Sequence, residues 1–493
     1  MRRLLLVFCL AVLLSRCAAA PGNETAAREG TTSANATDVR PPNIVFIMAD
    51  DLGYGELGSY GQEAISTPQL DRMAEEGIRF TQFYAGSTVC APSRSSLMTG
   101  RHTGRTPIRG NREVLPIGQT PLPGEAVTVA EVLKEAGYIT GAFGKWGLGA
   151  PGSEGTPTRQ GFDEFFGYLC QRRAHFYFPE FLYRGEERVQ IAGNEVVDDP
   201  ASHPGAGPAV RAEQYAQDLI TQEALRFIEA HRDEPFFLYL PVTIPHASIE
   251  VPEEALLPYL DHQGRSIFPE TSFAGGHYSP QERPRAAYAA MISRLDRDVG
   301  RILGKLKDFG LAEHTIVFFT SDNGPAAEGG ADPAFFDSSG PLRGMKRDLY
   351  EGGIRVPMLV WGPGRVPSGM VSDQVWTMWD VLPTAADLAG VPAPTDVDGI
   401  SMRAALLGGE APRTQNPLYW EFYEHGSAQA VRMGDWKAVR RPMLTGDIEL
   451  YDLSRDIGET TDLAGANPEI VREMVRLMEE AHTPSALWQP PNR

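Results

Sequence analysis

Two pairs of adjacent side chains with hard oxygen atoms, Asp50-Asp51 and Asp322-Asn323, each follow directly on an apolar run that reads as a buried strand. Carboxylates and a carboxamide offer oxygen ligands alone, which suits Ca2+ ahead of Mg2+ and does not suit a metal that prefers thiolate or imidazole. Either pair by itself is as well explained as a turn after a strand. Two pairs at equivalent strand ends point to a metal site, provided the strands are neighbours. A candidate nucleophile stands between them in Cys90-Ala91-Pro92-Ser93-Arg94. Pro92 opens a predicted helix with Cys90 just outside its N-terminus, where the dipole and unpaired N–H groups favour negative charge. A group that attacks an anion belongs there; the plain alternative is a Cys in a turn, or one paired with Cys170.

The elements that must position these residues alternate in kind. Residues 43–48 form a continuous apolar run suited to a strand buried on both faces. A helix follows with Thr67 as N-cap, Pro68 in its first turn and Gly77 as its stop. Residues 78–84 read as a strand, Thr128 to Glu131 as a capping box opening a helix, and 138–143 as a strand that ends before Lys145. Beyond it, 236–240 reads as a strand, and a long helix after Pro284 carries Met291, Leu295, Val299, Ile302 and Leu306 at helical spacing. Residues 315–320 form a second fully apolar strand. This alternation predicts an α/β fold with a mostly parallel sheet between helices, whose ligands bind beyond the carboxyl ends of the strands. From about Asn416 short strands and a helix over 468–481 predict a small α+β subdomain.

The chain of 493 residues carries a formal charge of −19, which argues against nucleic acid as a partner. Arg2 and Arg3 precede an apolar stretch over 4–14 and the small residues Ala18, Ala19 and Ala20, the pattern of an export signal. That stretch falls short of the roughly 20 apolar residues a membrane-spanning helix needs, so no integral membrane segment is expected. Residues 1–20 are thus read as a signal peptide and 21–40 as a flexible leader, with a secreted, periplasmic or lysosome-like destination. Leu14-Ser15-Arg16-Cys17 loosely resembles a lipobox, but Arg16 stands where such sites take a small residue, so cleavage is preferred over anchoring at Cys17. Four cysteines, two of them in the signal region, leave no disulfide framework.

The segment from Cys90 to Arg101 resembles the signature of the type I, formylglycine-dependent sulfatases, C-x-P-S-R followed by T-G-R. Gly144-Lys145-Trp146, Pro245-His246, Asp322-Asn323-Gly324 and Leu342-Arg343-Gly344-Met345-Lys346 follow in that family's order. The resemblance runs from Pro42 and weakens after about Asn416. It implies an alkaline-phosphatase-like catalytic domain over 41–415 with a C-terminal subdomain over 416–493. It also implies that a formylglycine-generating enzyme converts Cys90 to formylglycine (3-oxoalanine), whose hydrate attacks sulfur. Asp50, Asp51, Asp322, Asn323 and the modified Cys90 would bind Ca2+; Arg94, Lys145 and Lys346 would hold sulfate; His246 would protonate the leaving oxygen. The family pattern reads G-K-W-H, whereas this chain has Gly147 in place of the histidine. His175 or His102 are the candidates to replace it. Arg172, Arg173, His175 and the aromatics Phe176, Tyr177 and Phe178 suit sugar binding, as do Arg109, Asn111 and Glu421. The expected activity is hydrolysis of a sulfate monoester, on a sulfated carbohydrate ahead of an aryl sulfate. The alternatives are a phosphatase or phosphonate hydrolase of the same fold, and a noncatalytic protein that binds sulfated glycan.

Overall fold

The computed structural model describes residues 40–197, 207–411 and 416–490. The expected signal peptide and all of the leader but Arg40 lie outside them. Residues 40–493 form one compact unit.

In chain order the elements begin with β1 (Asn43–Asp50), α1 (Pro68–Glu76), β2 (Ile78–Tyr84), α2 (Cys90–Thr99), α3 (Val129–Glu135), β3 (Ile139–Lys145) and β4 (Glu164–Tyr168). Next come β5 (Phe181–Arg184), β6 (Glu187–Gln190), the short pair β7 (Glu195–Val196) and β8 (Ala209–Arg211), α4 (Ala216–Ala230), β9 (Phe236–Pro245) and α5 (Pro284–Asp308). They continue with β10 (Thr315–Ser321), α6 (Glu351–Ile354), β11 (Arg355–Trp361), β12 (Met370–Ser372), β13 (Trp376–Thr377), α7 (Val381–Ala389) and α8 (Arg403–Leu406). The chain closes with β14 (Leu418–Phe422), β15 (Ala428–Met433), β16 (Trp436–Arg441), β17 (Asp447–Asp452) and α9 (Pro468–Ala481).

The main sheet runs β12-β2-β11-β10-β1-β9-β3-β4-β5-β6, with β13 also on β2. Its centre, β10-β1-β9-β3-β4, is parallel throughout, while β11 enters antiparallel between β10 and β2. Because strand side chains alternate, β1 feeds two cores. Val45, Ile47 and Ala49 pack with Ile220 of α4 and with Ile292, Leu295 and Val299 of α5. Ile44, Phe46 and Met48 pack on the opposite face with Leu97 of α2, Leu133 of α3 and Leu382 of α7. A strand apolar at every position therefore needs helices on both sides, and it has them.

The capping box of α3 forms as expected: Glu131 N–H donates to Thr128 Oγ1 at 3.2 Å and Thr128 N–H to Glu131 Oε2 at 2.8 Å. At α1 the outcome differs. Thr67 holds the N-cap position, but Asp296 of α5 accepts the amides of Gln69 and Leu70 at 2.9 and 2.8 Å. Thr67 Oγ1 is occupied by the amide of Gly58, 2.9 Å away. A tertiary carboxylate has taken over the local cap.

The C-terminal strands form an antiparallel sheet, β14-β15-β16-β17. One face lays Trp420, Phe422, Ala430 and Val439 on Tyr84, Ile354 and Trp379; the other puts Tyr419, Val431, Ala438 and Leu450 under Met474 and Met478 of α9. A buried ion network fixes this docking. Lys437 Nζ lies 2.9 Å from both Glu351 Oε1 and Glu459 Oε1, and Glu459 accepts the amide of Glu351 at 2.6 Å.

Candidate active site

Four neighbouring parallel strands deliver the polar residues to one edge of the sheet. In the order β10, β1, β9 and β3, their carboxyl ends carry Asp322, Asp50 with Asp51, His246 and Lys145. The register Ala49↔Ser321 sets Asp50 beside Asp322. The neighbour relationship required of a shared metal site is thus met. Asp51 turns out of β1 with φ 67°, a left-handed conformation that Asp tolerates better than most residues.

Cys90 is the first residue of α2, all ten residues of which are buried. Its Sγ lies 3.3 Å from Asp50 Oδ1 and 3.5 Å from Lys145 Nζ. Burial and the carboxylate of Asp50 push the thiol well above its ordinary range, despite the opposing charge of Lys145. Arg94, one turn along the helix, donates to Asp322 Oδ2 and, through Nη1, to the carbonyl of Lys145 at 2.5 Å.

Each lysine is paired to a different carboxylate. Lys145 Nζ is 2.5 Å from Asp50 Oδ2, and Lys346 Nζ is 2.7 Å from Asp51 Oδ2. Burial alone raises Asp50, but Lys145, His246, Arg94 and Lys346 together outweigh it and hold the carboxyl well below the usual range. Asp322 goes the other way, raised to about 6 by burial and by the negative charge of Asp50. Lys346 is brought in by the loop before α6, where the chain packs backbone on backbone. A Cβ on Gly324 would fall 1.9 Å from the carbonyl oxygen of Gly352, so the Asn323-Gly324 turn requires glycine there.

His246 completes the cluster, with Nε2 3.5 Å from Asp51 Oδ2 and Nδ1 against the carbonyl of Ala247. Burial and the charge of Lys346 lower its pKa. Ligand atoms of Asp50, Asp51, Cys90 and His246 all lie within 4.8 Å of one another. Asn323 Nδ2 donates to Asp51 Oδ1 at 2.8 Å, while Asn323 Oδ1 is buried with no hydrogen-bond partner among the described residues. An orphaned buried oxygen beside two carboxylates is what a hard cation would satisfy, so the donor set fits such an ion. Asp322 is less available than expected, because Arg94 and the amide of Asp51 take its oxygens.

These groups open into a cavity of about 100 Å³ lined by Cys90, Lys145, His246, Lys346, His175 and Arg172, and further by Asn111, Glu113, Gln119, Gln171, Tyr278, Glu328 and Arg347. His175 stacks on His246 with ring centroids 4.5 Å apart, and its Nδ1 is buried without a hydrogen-bond partner among the described residues. The other candidate replacement, His102, is not at this cavity. It packs edge-on against Trp379 and Tyr419 with Asp398 3.5 Å away. Arg109 and Glu421 do not line the cavity either. They face each other at 3.3 Å with side chains 5 % and 0 % exposed, and Glu421 also takes the hydroxyls of Tyr419 and Tyr423. A pair so enclosed ties the loop after α2 to β14. Phe176 and Tyr177 are likewise buried, and Tyr177 donates to the carbonyls of Thr243 and His246, so neither is a stacking surface for a sugar.

Sequence reasoning did not single out Gln171, Glu328 or Tyr278. No periodicity or motif marks them, and they reach the cavity from three separate loops. Glu328 Oε1 lies 2.6 Å from Arg347 Nη1, and Glu328 Oε2 accepts the hydroxyl of Tyr278 at 2.7 Å.

The comparisons with known proteins agree with this geometry. Residues 42–391 match the family model for sulfatases, and 344–483 match the model described as the C-terminal region of N-sulphoglucosamine sulphohydrolase. The chain is 35 % identical over 415 residues to N-acetylgalactosamine-6-sulfatase of Canis lupus familiaris, covering 81 % of this chain and 72 % of that one. It is 35 % identical over 492 residues to arylsulfatase A of Homo sapiens, covering 89 % and 87 %. Among solved structures, Ps i-CgsB in complex with k-i-k-neocarrahexaose superposes with a TM-score of 0.74 at 28 % identity, over 92 % of this chain and 94 % of that one. A chain with this sheet, this match to the family model and these relatives belongs to the sulfatase family, the hydrolases of sulfate esters.

Proposed function

We propose that this sulfatase acts on a sulfated carbohydrate, using formylglycine made from Cys90 and a bound calcium ion. The observation that carries the reading is the position of Cys90, buried at the head of α2 between Asp50 and Lys145. A thiol held well above its ordinary pKa by burial is a poor nucleophile, since the thiolate is the reactive form. Oxidised to formylglycine by a generating enzyme and hydrated, residue 90 supplies a hydroxyl oxygen in its place.

Asp50, Asp51, Asp322, Asn323 and residue 90 would hold the calcium ion, which supplies charge stabilisation for the nonbridging oxygens of the ester. Lys145 and Lys346 flank the position of residue 90 and orient the sulfate group by charge. Arg94 braces Asp322 from below and keeps the acidic side chains apart. His246 stands on the cavity wall with Nδ1 against the carbonyl of Ala247, an arrangement that leaves Nε2 to carry a proton to the leaving oxygen. His175, stacked on His246 at the same cavity, is the group placed to substitute for the histidine that Gly147 replaces.

Polar residues of opposite charge and of none line the outer cavity, and relatives are named for action on N-acetylgalactosamine 6-sulfate. Both features favour a sugar over a simple aryl ester. Arg172, held by His277 at 2.6 Å, and Arg347 are partly exposed cations that line the cavity. No helix among the described residues is long and apolar enough to cross a membrane. Together with the expected signal at 1–20, this supports export, with cleavage preferred over lipidation at Cys17.

The test is the intact mass of the tryptic peptide containing Cys90, from protein made alongside a formylglycine-generating enzyme. A loss of about 18 Da, the change from thiol to aldehyde, accompanied by sulfate release from sulfated sugars, is the expected result. An unmodified thiol in active protein would sink the formylglycine reading. Sulfate release from aryl esters alone would sink the carbohydrate reading.

A further inference from the structure

Position 147 carries no side chain, and another residue fills the space one would use. Gly147 has φ 78°, and a Cβ built on it would fall 2.8 Å from Cγ and 3.1 Å from Cδ of Gln171. Gln171 is 6 % exposed and lines the same cavity as Cys90, Lys145 and Lys346. Its Nε2 donates to Asn111 Oδ1 at 3.1 Å, and that oxygen also accepts the backbone N–H of Ala91 at 3.1 Å.

This chain of contacts fixes both amide orientations. The Ala91 N–H can only donate, so the atom of Asn111 that it meets is the oxygen, and the atom of Gln171 that meets the same oxygen is the NH2 group. Asn111 Nδ2, a donor, and Gln171 Oε1, an acceptor, are left over, and neither bonds another described residue. A sugar hydroxyl both donates and accepts, as does an acetamido group. A second sulfate or a carboxylate can only accept, and would set its charge against Gln171 Oε1.

We propose that Gln171 and Asn111 form a neutral amide subsite for the uncharged hydroxyl or acetamido group next to the sulfate ester, and that Gly147 makes room for it. The inference rests on the carbohydrate reading above and specifies its substrate: a sugar whose group beside the ester is free, not itself sulfated. A site built to pair such a group discriminates against substrates that lack it, because its own polar atoms are then left unpaired.

The experiment compares kcat/KM for a monosulfated hexosamine with a free neighbouring hydroxyl, its disulfated counterpart and 4-nitrophenyl sulfate, in the wild type, Gln171→Ala and the near-isosteric Gln171→Met. The unfolding midpoint of each variant is recorded beside the kinetics. Wild type should prefer the monosulfated sugar to the disulfated one. In both variants the loss on that sugar should exceed the loss on the aryl ester by about tenfold, and Gly147→Ala, which displaces Gln171, should shift the ratio the same way. Equal losses on sugar and aryl ester would show that Gln171 only supports the fold of the site, and would overturn the subsite. Wild-type preference for the disulfated sugar would also overturn it. Turnover of the aryl ester with none of any sugar would remove the carbohydrate reading and the subsite together, leaving sulfate hydrolysis in place.

Discussion

Arg94 donates to the same oxygen of Asp322 twice, from Nε at 3.1 Å and from Nη2 at 2.7 Å, with both side chains fully buried. The guanidinium also reaches 3.4 Å from Asp50 Oδ2, so one cation separates two carboxylates that neighbouring strands force together. A planar fork does this and an ammonium does not. Arg94→Ala leaves buried Asp322 without its cation and Asp50 with Lys145 alone, and should destabilise the protein by about 3–5 kcal/mol, read by chemical denaturation. Arg94→Lys should recover part of that stability. Full recovery by Lys would show that charge alone matters.

The unpartnered Asn323 Oδ1 and the Asp51 carboxylate make ion binding measurable without turnover. Chelator should lower the unfolding midpoint. Calcium at about a hundred times its Kd should return about 2.7 kcal/mol of stability. Asp51→Asn removes a charge that also holds Lys346, and should abolish most of the calcium response. A wild-type midpoint indifferent to both chelator and calcium would count against the ion.

If His246 protonates the leaving oxygen, the need for it depends on the leaving group. A sugar alkoxide must be protonated as it departs, whereas an acidic phenol leaves well unaided. His246→Ala should therefore cost about 10²–10⁴ in kcat on a sugar sulfate, and far less on 4-nitrophenyl sulfate. Equal costs would assign His246 to positioning instead.

A pH effect on stability should come from Glu56, which is fully buried, accepts the amide of Gly53 at 2.6 Å and the hydroxyl of Tyr288 at 2.6 Å, and forms no ion pair with a cation among the described residues. Burial raises its pKa to about 7 from an ordinary 4.5. The folded state then binds the proton more tightly than the unfolded state, so this group's contribution is full below pH 4.5 and declines as pH rises to about 7. Glu56→Gln keeps the shape and removes the titration. Relative to wild type it should gain on the order of 2 kcal/mol between pH 5 and pH 8, measured by denaturant unfolding at both. No change in that difference would mean that Glu56 is ionised without penalty.

Much of the candidate site was legible because its parts are local. Cys90-Ala91-Pro92-Ser93-Arg94 is a run in which a helix start places Cys90 and one turn places Arg94, and each strand-end motif likewise lies within a few residues of an apolar run. Strands β14 and β15 and the helix α9 fall in the stretch expected from about Asn416 to hold short strands and a helix; β14 is buried at every position, β15 at all but Met433, and α9 buries Met474, Leu477 and Met478 at helical spacing. Arg109 and Glu421 show where such reading fails. Both are polar and near motifs, yet their mutual distance depends on how the C-terminal sheet docks, which no local spacing encodes.

The sequence by itself determined the strands and helices that carry the motifs and the family, and offered the candidate nucleophile and oxygen ligands, because these depend on residues close together in the chain. Tertiary structure alone decided that β10 lies beside β1, which brings Asp50-Asp51 and Asp322-Asn323 into one cluster although Asp51 and Asn323 stand 272 residues apart in the chain. It also decided that His175 and not His102 reaches the cavity, and that Gln171 fills the room left by Gly147. Strand order and loop packing are set by how the two faces of the sheet bury their apolar side chains, a property of the whole chain that no segment carries alone.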